Sequence, residues 1–343
     1  MKTTLLRPDT PASFTEAVAR AVALLRAGQV VALPTETVYG LAANALDAQA
    51  VLRVFEVKGR PAHNPVIVHV ASIEMARRCV SNWPEIAQKL AVAFWPGPLT
   101  MVLPRAPEIP DIVTAGGRTV GVRWPSHSLV EEVIRSCGFP LAMPSANPAS
   151  QISPTKASHV QKGLGGKIAL IVDGGPAQVG IESTVVDLSQ PSPQVLRPGM
   201  ITLEALQRAL GNNEAAWRAQ DGRHPAAGEN LRSPGQLPKH YSPKARLVVW
   251  DWRDEADLES QILNVKFEIA KTHVIAHRRV PSADRFGRVT VLPDNPEGFA
   301  QAFYAELHRC DEEGAELIVV ERLPEARGWQ AISDRLQRAA SPA

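Results

Sequence analysis

The sequence predicts an α/β protein, α/β to α+β in class, built as two domains. Three observations carry this. The chain has 343 residues, more than one compact core usually organises. Short apolar runs alternate with amphipathic segments along most of it, the pattern of strands interleaved with helices. One stretch, Gly211–Pro243, breaks the pattern: it is rich in Asn, Gly, Pro and Ala and has no periodicity. A segment that long without elements is unusual inside a compact domain, so it reads as an interdomain linker. The expected domains are 10–210 and 244–343, joined by 211–243.

In the first domain, Ser13-Phe-Thr-Glu16 has the form of a capping box and opens a helix running to Gly28. Val30–Leu33 is a short apolar strand. A helix from Asp47 carries Val51, Val54 and Phe55 on one face and stops at Gly59-Arg60-Pro61. Val66–Val70 is a strand. Two short helices follow, around Ile73–Cys79 and Pro84–Phe94, and then strands at Leu99–Leu103 and Val120–Trp124. Ser126 caps a helix ending at Gly138. Leu141–Met143 is a strand leading into Pro-Ser-Ala-Asn-Pro, and Pro154 at the first helical position begins another helix. Ile168–Val172 is a strand closed by Asp173-Gly174-Gly175. Thr184–Leu188 and Gln194–Leu196 form a strand pair, and Thr202–Leu210 is a last short helix.

After the linker the pattern restarts: strand Leu247–Trp252, helix Leu258–Lys271, strands Val274–His277 and Val289–Leu292, helix Pro296–Arg309, strand Leu317–Glu321, helix Trp329–Ala339. This alternation predicts a small parallel α/β domain.

Composition narrows the function. Hydrophobic residues make up 45% of the chain and charged residues 21%, ordinary for a globular protein. Net charge is +2, so nothing marks a polycation built to coat nucleic acid. No apolar run approaches the roughly eighteen residues of a membrane span. The start, MKTTLLRPDT, lacks the apolar core of a secretory leader. Cys79, Cys137 and Cys310 fit neither a disulfide framework nor a zinc site and read as reduced thiols, so a cytoplasmic location is expected. Gly163-Leu-Gly-Gly-Lys167 precedes a strand, so it is a helix end and turn and not a Walker A loop. His273 and His277 share i, i+4 spacing but lie in a predicted strand, where that spacing makes no metal pair.

Residues Pro34–Val70 carry the most chemistry. A loop with Thr35, Thr37 and Tyr39 closes on Gly40; Lys58 and Arg60 stand at a helix end; His63 and Asn64 lead into an apolar strand. Two cations, several hydroxyls and an amide on short loops suit an anionic ligand such as a phosphate or a carboxylate. Ser145 and Asn147, held between prolines, offer a hydroxyl and an amide from one turn. Ser183 enters a strand and Arg197 ends one. Taken singly, Thr35 and Thr37 read as turn hydroxyls, His69 as a core histidine, Arg197 as a strand-end charge, Thr119 as a β-former and Tyr241 as a packing anchor.

Together the motifs resemble the YrdC-like family of threonylcarbamoyl-AMP synthases, in its longer two-domain form. PTETVYGL (Pro34–Leu41), KGRP (Lys58–Pro61), NPVIVHV (Asn64–Val70), GVRWP (Gly121–Pro125), PSAN (Pro144–Asn147), SPT (Ser153–Thr155), ESTVVD (Glu182–Asp187) and LRPG (Leu196–Gly199) run in family order. PGQLPKHYSPKA (Pro234–Ala245) resembles the segment that joins the catalytic domain to the extra C-terminal domain.

The resemblance implies a YrdC-like twisted mixed sheet flanked by helices, followed by a smaller Rossmann-like parallel domain. It implies a nucleotidyltransferase that makes threonylcarbamoyl-AMP and pyrophosphate from L-threonine, bicarbonate or carbon dioxide, and ATP. The product would pass to a tRNA threonylcarbamoyl transferase complex. Magnesium would accompany the ATP, with ligands unassigned and no tightly bound organic cofactor. Lys58, Arg60, Ser145 and Asn147 are the implied catalytic set. Arg60, Asn64, Thr119, Asn147, Thr155, Arg197 and Tyr241 are implied for ATP; Thr37, His69, Arg123, Ser145 and Ser183 for threonine. Arg123 suits a free α-carboxylate. Residues 211–243, with Tyr241, are expected to close over the cleft as a lid. The competing reading is a non-catalytic double-stranded RNA- or tRNA-binding protein of the same fold, with weak RNA contact. The near-zero net charge weighs against it, because phosphate neutralisation drives such binding.

Overall fold

The computed structural model of the chain describes residues 2–211, 217–218, 231, 233–235 and 240–341. These divide into two compact units, Met1–Ala149 with Ser153–Leu237, and Ser150–Ile152 with Pro238–Ala343. Most of the segment expected to act as a lid lies outside the described residues.

The first unit runs β1 (Thr4–Leu6), α1 (Pro11–Arg26), β2 (Val31–Leu33), β3 (Gly40–Asn44), α2 (Ala48–Lys58), β4 (Val68–His69), α3 (Ile73–Arg78) and α4 (Glu85–Phe94). It continues with β5 (Leu99–Pro104), α5 (Asp111–Thr114), β6 (Thr119–Arg123), α6 (Ser128–Cys137), β7 (Leu141–Ala142), α7 (Ala157–Leu164), β8 (Leu170–Val172), β9 (Thr184–Asp187), β10 (Gln194–Arg197) and α8 (Leu203–Ala209). Among the described residues its strands form one mixed sheet in the order β1-β8-β2-β3-β7-β4-β6-β5-β9-β10. Strands β1, β8 and β2 are parallel, whereas β3 and β7 run against their neighbours.

Side-chain alternation gives this sheet two buried faces. Val31 and Leu33 of β2, with Ala42 of β3, enter one core with α1 and α6. Ala32, with Leu41 and Ala43, enters a second core with α2 and α7. The chemistry is thereby left to the loops at the strand ends.

Several local expectations are corrected. Helix α1 begins earlier than Ser13: Thr10 is its cap, and the reciprocal capping pair is Thr10 with Ser13. The cap of α6 is His127, not Ser126; its Nδ1 accepts from the Leu129 N–H at 3.3 Å. Pro154 does not open α7, which starts two residues beyond Thr155, after Lys156. Strands β1 and β3 and the short helix α5 were not foreseen.

The second unit runs β11 (Arg246–Trp250), α9 (Glu255–Asn264), β12 (Thr272–Ala276), β13 (Arg288–Val291), α10 (Pro296–Glu312), β14 (Leu317–Glu321) and α11 (Gln330–Ala340). Its strands are all parallel, in the order β11-β14-β12-β13, as the alternation of strand and helix predicts. The helix expected to reach Lys271 ends at Asn264, and a 3-10 turn over Ile269–Lys271 follows. No helix among the described residues is long and apolar enough to cross a membrane.

Candidate functional site

The loop after β2 is built around one hydroxyl. Thr35 Oγ1 accepts from the N–H groups of Thr37 and Val38 at 3.1 and 3.2 Å and donates to the Val38 carbonyl at 2.6 Å. Thr35 is thus spent on the turn. Glu36 and Thr37 are buried at its tip. The Glu36 carbonyl accepts from Val179 N at 2.7 Å, so this loop is tied to the one after β8.

Helix α2 ends at Gly59, whose φ of 63° is the left-handed conformation a C-cap glycine supplies. That termination aims Lys58 sideways. Its Nζ lies 2.5 Å from the carbonyl oxygens of both Ser145 and Asn147 and 3.4 Å from Asn147 Oδ1. The Lys58 carbonyl accepts from Ala149 N at 2.8 Å. The turn itself is fixed to the first loop: Ala146 N donates to the Tyr39 carbonyl at 2.8 Å, and Gly40 pairs with Ser145. Burial first, and the charge of Arg60 second, hold the Lys58 ammonium well below the ordinary lysine value. Lys58 therefore gains markedly from any anion that approaches it.

Arg60 takes a different course from its neighbour. It donates to Asn64 Oδ1 at 2.7 Å, to the Asn64 carbonyl at 3.1 Å and to the Pro65 carbonyl at 2.6 Å. Two residues implied for ATP, Arg60 and Asn64, are thus a preassembled pair.

Two of the residues implied for threonine, Thr37 and His69, stand beside Arg123 at the end of β6, whereas Ser145 lies in the Lys58 turn and Ser183 with Arg197. Arg123 Nη2 donates to Thr37 Oγ1 at 2.9 Å and lies 2.8 Å from Glu36 Oε1. His69 of β4 is the register partner of Arg123. Burial, then the Arg123 charge, push the His69 imidazole well below its ordinary value, so the ring stays neutral. Its Nδ1 faces the Ile67 carbonyl at 3.3 Å.

A further group forms where β9 meets β10. Arg197 Nη2 donates to Ser183 Oγ at 3.1 Å, and both Nε and Nη2 reach the Ser183 carbonyl, at 3.1 and 3.0 Å. Ser183 Oγ also contacts Thr100 Oγ1 at 2.8 Å. A narrow cavity beside it is lined by Thr100, Thr119, Pro65, Ser233 and Pro234 among others, so Thr119 shares it with Pro65, whose carbonyl accepts from Arg60. Arg197 Nη1 donates to the Pro234 carbonyl at 3.3 Å. Thr155 packs on His159, its N–H 3.3 Å from Nδ1.

Tyr241 is held in the second unit. It is buried there, stacked on Tyr304 with centroids 5.8 Å apart, and the Arg335 guanidinium lies 5.3 Å from its ring centre. Its φ of 63° is uncommon for a bulky residue.

Two participants escaped the sequence reading. Thr100 lies in a plain apolar strand and gives no signal. Glu36 had one: it is the lone acid in a loop of buried hydroxyls.

The Sua5/YciO/YrdC family model, described as telomere recombination, matches residues 23–199. A second, described as the C-terminal domain of threonylcarbamoyl-AMP synthase, matches 201–341. The chain belongs to the Sua5/YrdC family. Among its Sua5/YrdC relatives, the threonylcarbamoyl-AMP synthase of Pyrococcus abyssi is 39% identical over 326 residues, covering 93% of this chain and 92% of that one. The enzyme of that name from Bacillus subtilis is 40% identical over 330 residues, covering 94% and 92%. The crystal structure of P. abyssi Sua5 complexed with L-threonine superposes with a TM-score of 0.88 at 37% identity, covering 99% of this chain and 98% of that one. The resemblance drawn from eight short motifs thus extends over both units.

Proposed function

We infer that this chain makes threonylcarbamoyl-AMP from L-threonine, bicarbonate or carbon dioxide, and ATP, as a nucleotidyltransferase serving tRNA modification. Family membership and near full-length similarity to proteins named threonylcarbamoyl-AMP synthase support the activity. The observation that carries the chemistry is the Lys58 ammonium, buried with no carboxylate paired to it among the described residues and anchored to the Ser145–Asn147 turn.

N-carboxythreonine and the ATP triphosphate are both anions and must meet at one phosphorus. A fixed cation that burial has stripped of water gains most when negative charge accumulates beside it. Lys58 would lie near the reacting carboxylate and the α-phosphate. Arg60 with Asn64, and Arg197 with Ser183, would hold the nucleotide; Thr119, Asn147, Thr155 and Tyr241 complete that proposed set. Arg123 would take the threonine carboxylate, with Thr37, His69, Ser145 and Ser183 around the amino acid. Little covalent work falls to the protein, so alignment and charge supply most of the rate. Magnesium would arrive with its triphosphate. The adenylate would be handed to a transferase acting on tRNA.

The test is pyrophosphate release from ATP. The proposal requires release that depends on both L-threonine and bicarbonate. RNA binding without such release would favour the non-catalytic reading.

A further inference from the structure

We propose that Glu36 binds the α-ammonium of the amino-acid substrate, opposite Arg123 on its carboxylate. This rests on the amino-acid reading of the site given above.

The Glu36 side chain is 4% exposed, and so is removed from bulk water. Arg123 Nη2 lies 2.8 Å from Oε1, yet neither carboxylate oxygen has a hydrogen-bond partner among the described residues. The contact is therefore an oblique ion pair. A buried carboxylate is costly unless it is both neutralised and hydrogen-bonded, and Glu36 is only neutralised. Its two oxygens retain most of their capacity to accept, which is about four hydrogen bonds.

The neighbours do not fill that capacity. Arg123 directs Nη2 to Thr37 Oγ1 and Nε to the Gly97 carbonyl at 3.3 Å. His127, whose charge would act on Glu36, has its Nδ1 engaged by Leu129 N, and burial disfavours its protonation. The Thr35 turn and the Val179 bond to the Glu36 carbonyl hold the loop, so the acid has little freedom to seek another partner.

A zwitterionic α-amino acid carries the complementary pattern. Its carboxylate meets the Arg123 guanidinium, and its ammonium supplies the hydrogen bonds that Glu36 lacks. The Arg123–Glu36 pair becomes a template for the backbone end of an amino acid. Recognition of the rest of the molecule is left to other residues.

The test compares L-threonine with 2,3-dihydroxybutanoate of the same configuration, in which a hydroxyl replaces the ammonium. Binding to the full chain is measured by calorimetry, with ATP affinity and thermal unfolding as checks of the fold. The wild type should hold threonine about ten- to a hundredfold more tightly than the analogue, the scale of hydrogen bonds to a charged group. Glu36→Gln should remove that preference, weakening threonine while changing the analogue by less than about threefold. Equal losses for both ligands would assign Glu36 to supporting Arg123 alone and overturn the proposal. If Glu36→Gln does not fold, the wild-type comparison decides: equal affinities overturn the proposal. A wild type that binds neither ligand would instead remove the amino-acid reading on which it rests.

Discussion

The ammonium of Lys58 is anchored to the main-chain carbonyl of Asn147 at 2.5 Å, joining the end of α2 to the turn after β7. The same nitrogen reaches the Ser145 carbonyl. One side chain therefore shapes the turn and charges it. Lys58→Met should lower turnover by about a hundred- to a thousandfold, the usual scale for one preorganised electrostatic partner. Single-turnover kinetics at saturating ATP and threonine measure this; a loss below threefold would contradict the role.

Arg123 and Glu36 neutralise each other in a buried place, with side chains 5% and 4% exposed. Arg123→Ala strands a buried carboxylate and should cost about 3–5 kcal/mol of stability. In the double variant Arg123→Ala/Glu36→Gln the stranded charge is gone, so part of that loss should return. Urea unfolding of the two variants checks this. Threonine affinity should fall in both, with ATP affinity little changed.

Gly199 packs where no side chain fits. A Cβ there would lie 2.3 Å from Thr184 N and 2.8 Å from the Ser183 carbonyl carbon, and backbone cannot yield as a flexible side chain does. Gly199→Ala should destabilise by about 1–3 kcal/mol. It should also disturb the Arg197–Ser183 contacts, raising KM for both substrates more than Gly138→Ala, where a Cβ meets open space.

His69 gives stability a pH dependence. Burial holds its folded-state value well below 6.5. Below about pH 6.5 the unfolded chain takes up a proton that the folded chain refuses, so stability falls as the pH drops through that window and is unaffected above it. His69→Gln should flatten this slope, read as urea midpoints at several acidic pH values. A slope unchanged by the substitution would mean that other groups govern it.

Elements with strong local punctuation were legible in the sequence. Helix α2 has Asp47 as cap, an apolar stripe and a left-handed Gly59, each with its own physical cause. Strand β3 was not legible: Gly-Leu-Ala-Ala-Asn lies between two cores, so it shows no alternation, and alanine is a poor strand former. The cap of α6 was misplaced because an imidazole nitrogen serves where serine is the usual choice. Within the site, cations and turn motifs could be read directly because few other roles suit them. Glu36 showed only as the lone acid of its loop; its burial and its pairing with Arg123 of β6 are tertiary facts that local pattern does not encode.

The most direct measurement follows carbon from bicarbonate to product. The purified chain is supplied with 13C-bicarbonate, L-threonine and MgATP, and the products are read by mass spectrometry. The account predicts an adenylate of threonine carrying one labelled carbon, formed with pyrophosphate and lost in Lys58→Met. Pyrophosphate release with no label in an adenylate, or label incorporated equally well by the Lys58 variant, would contradict it.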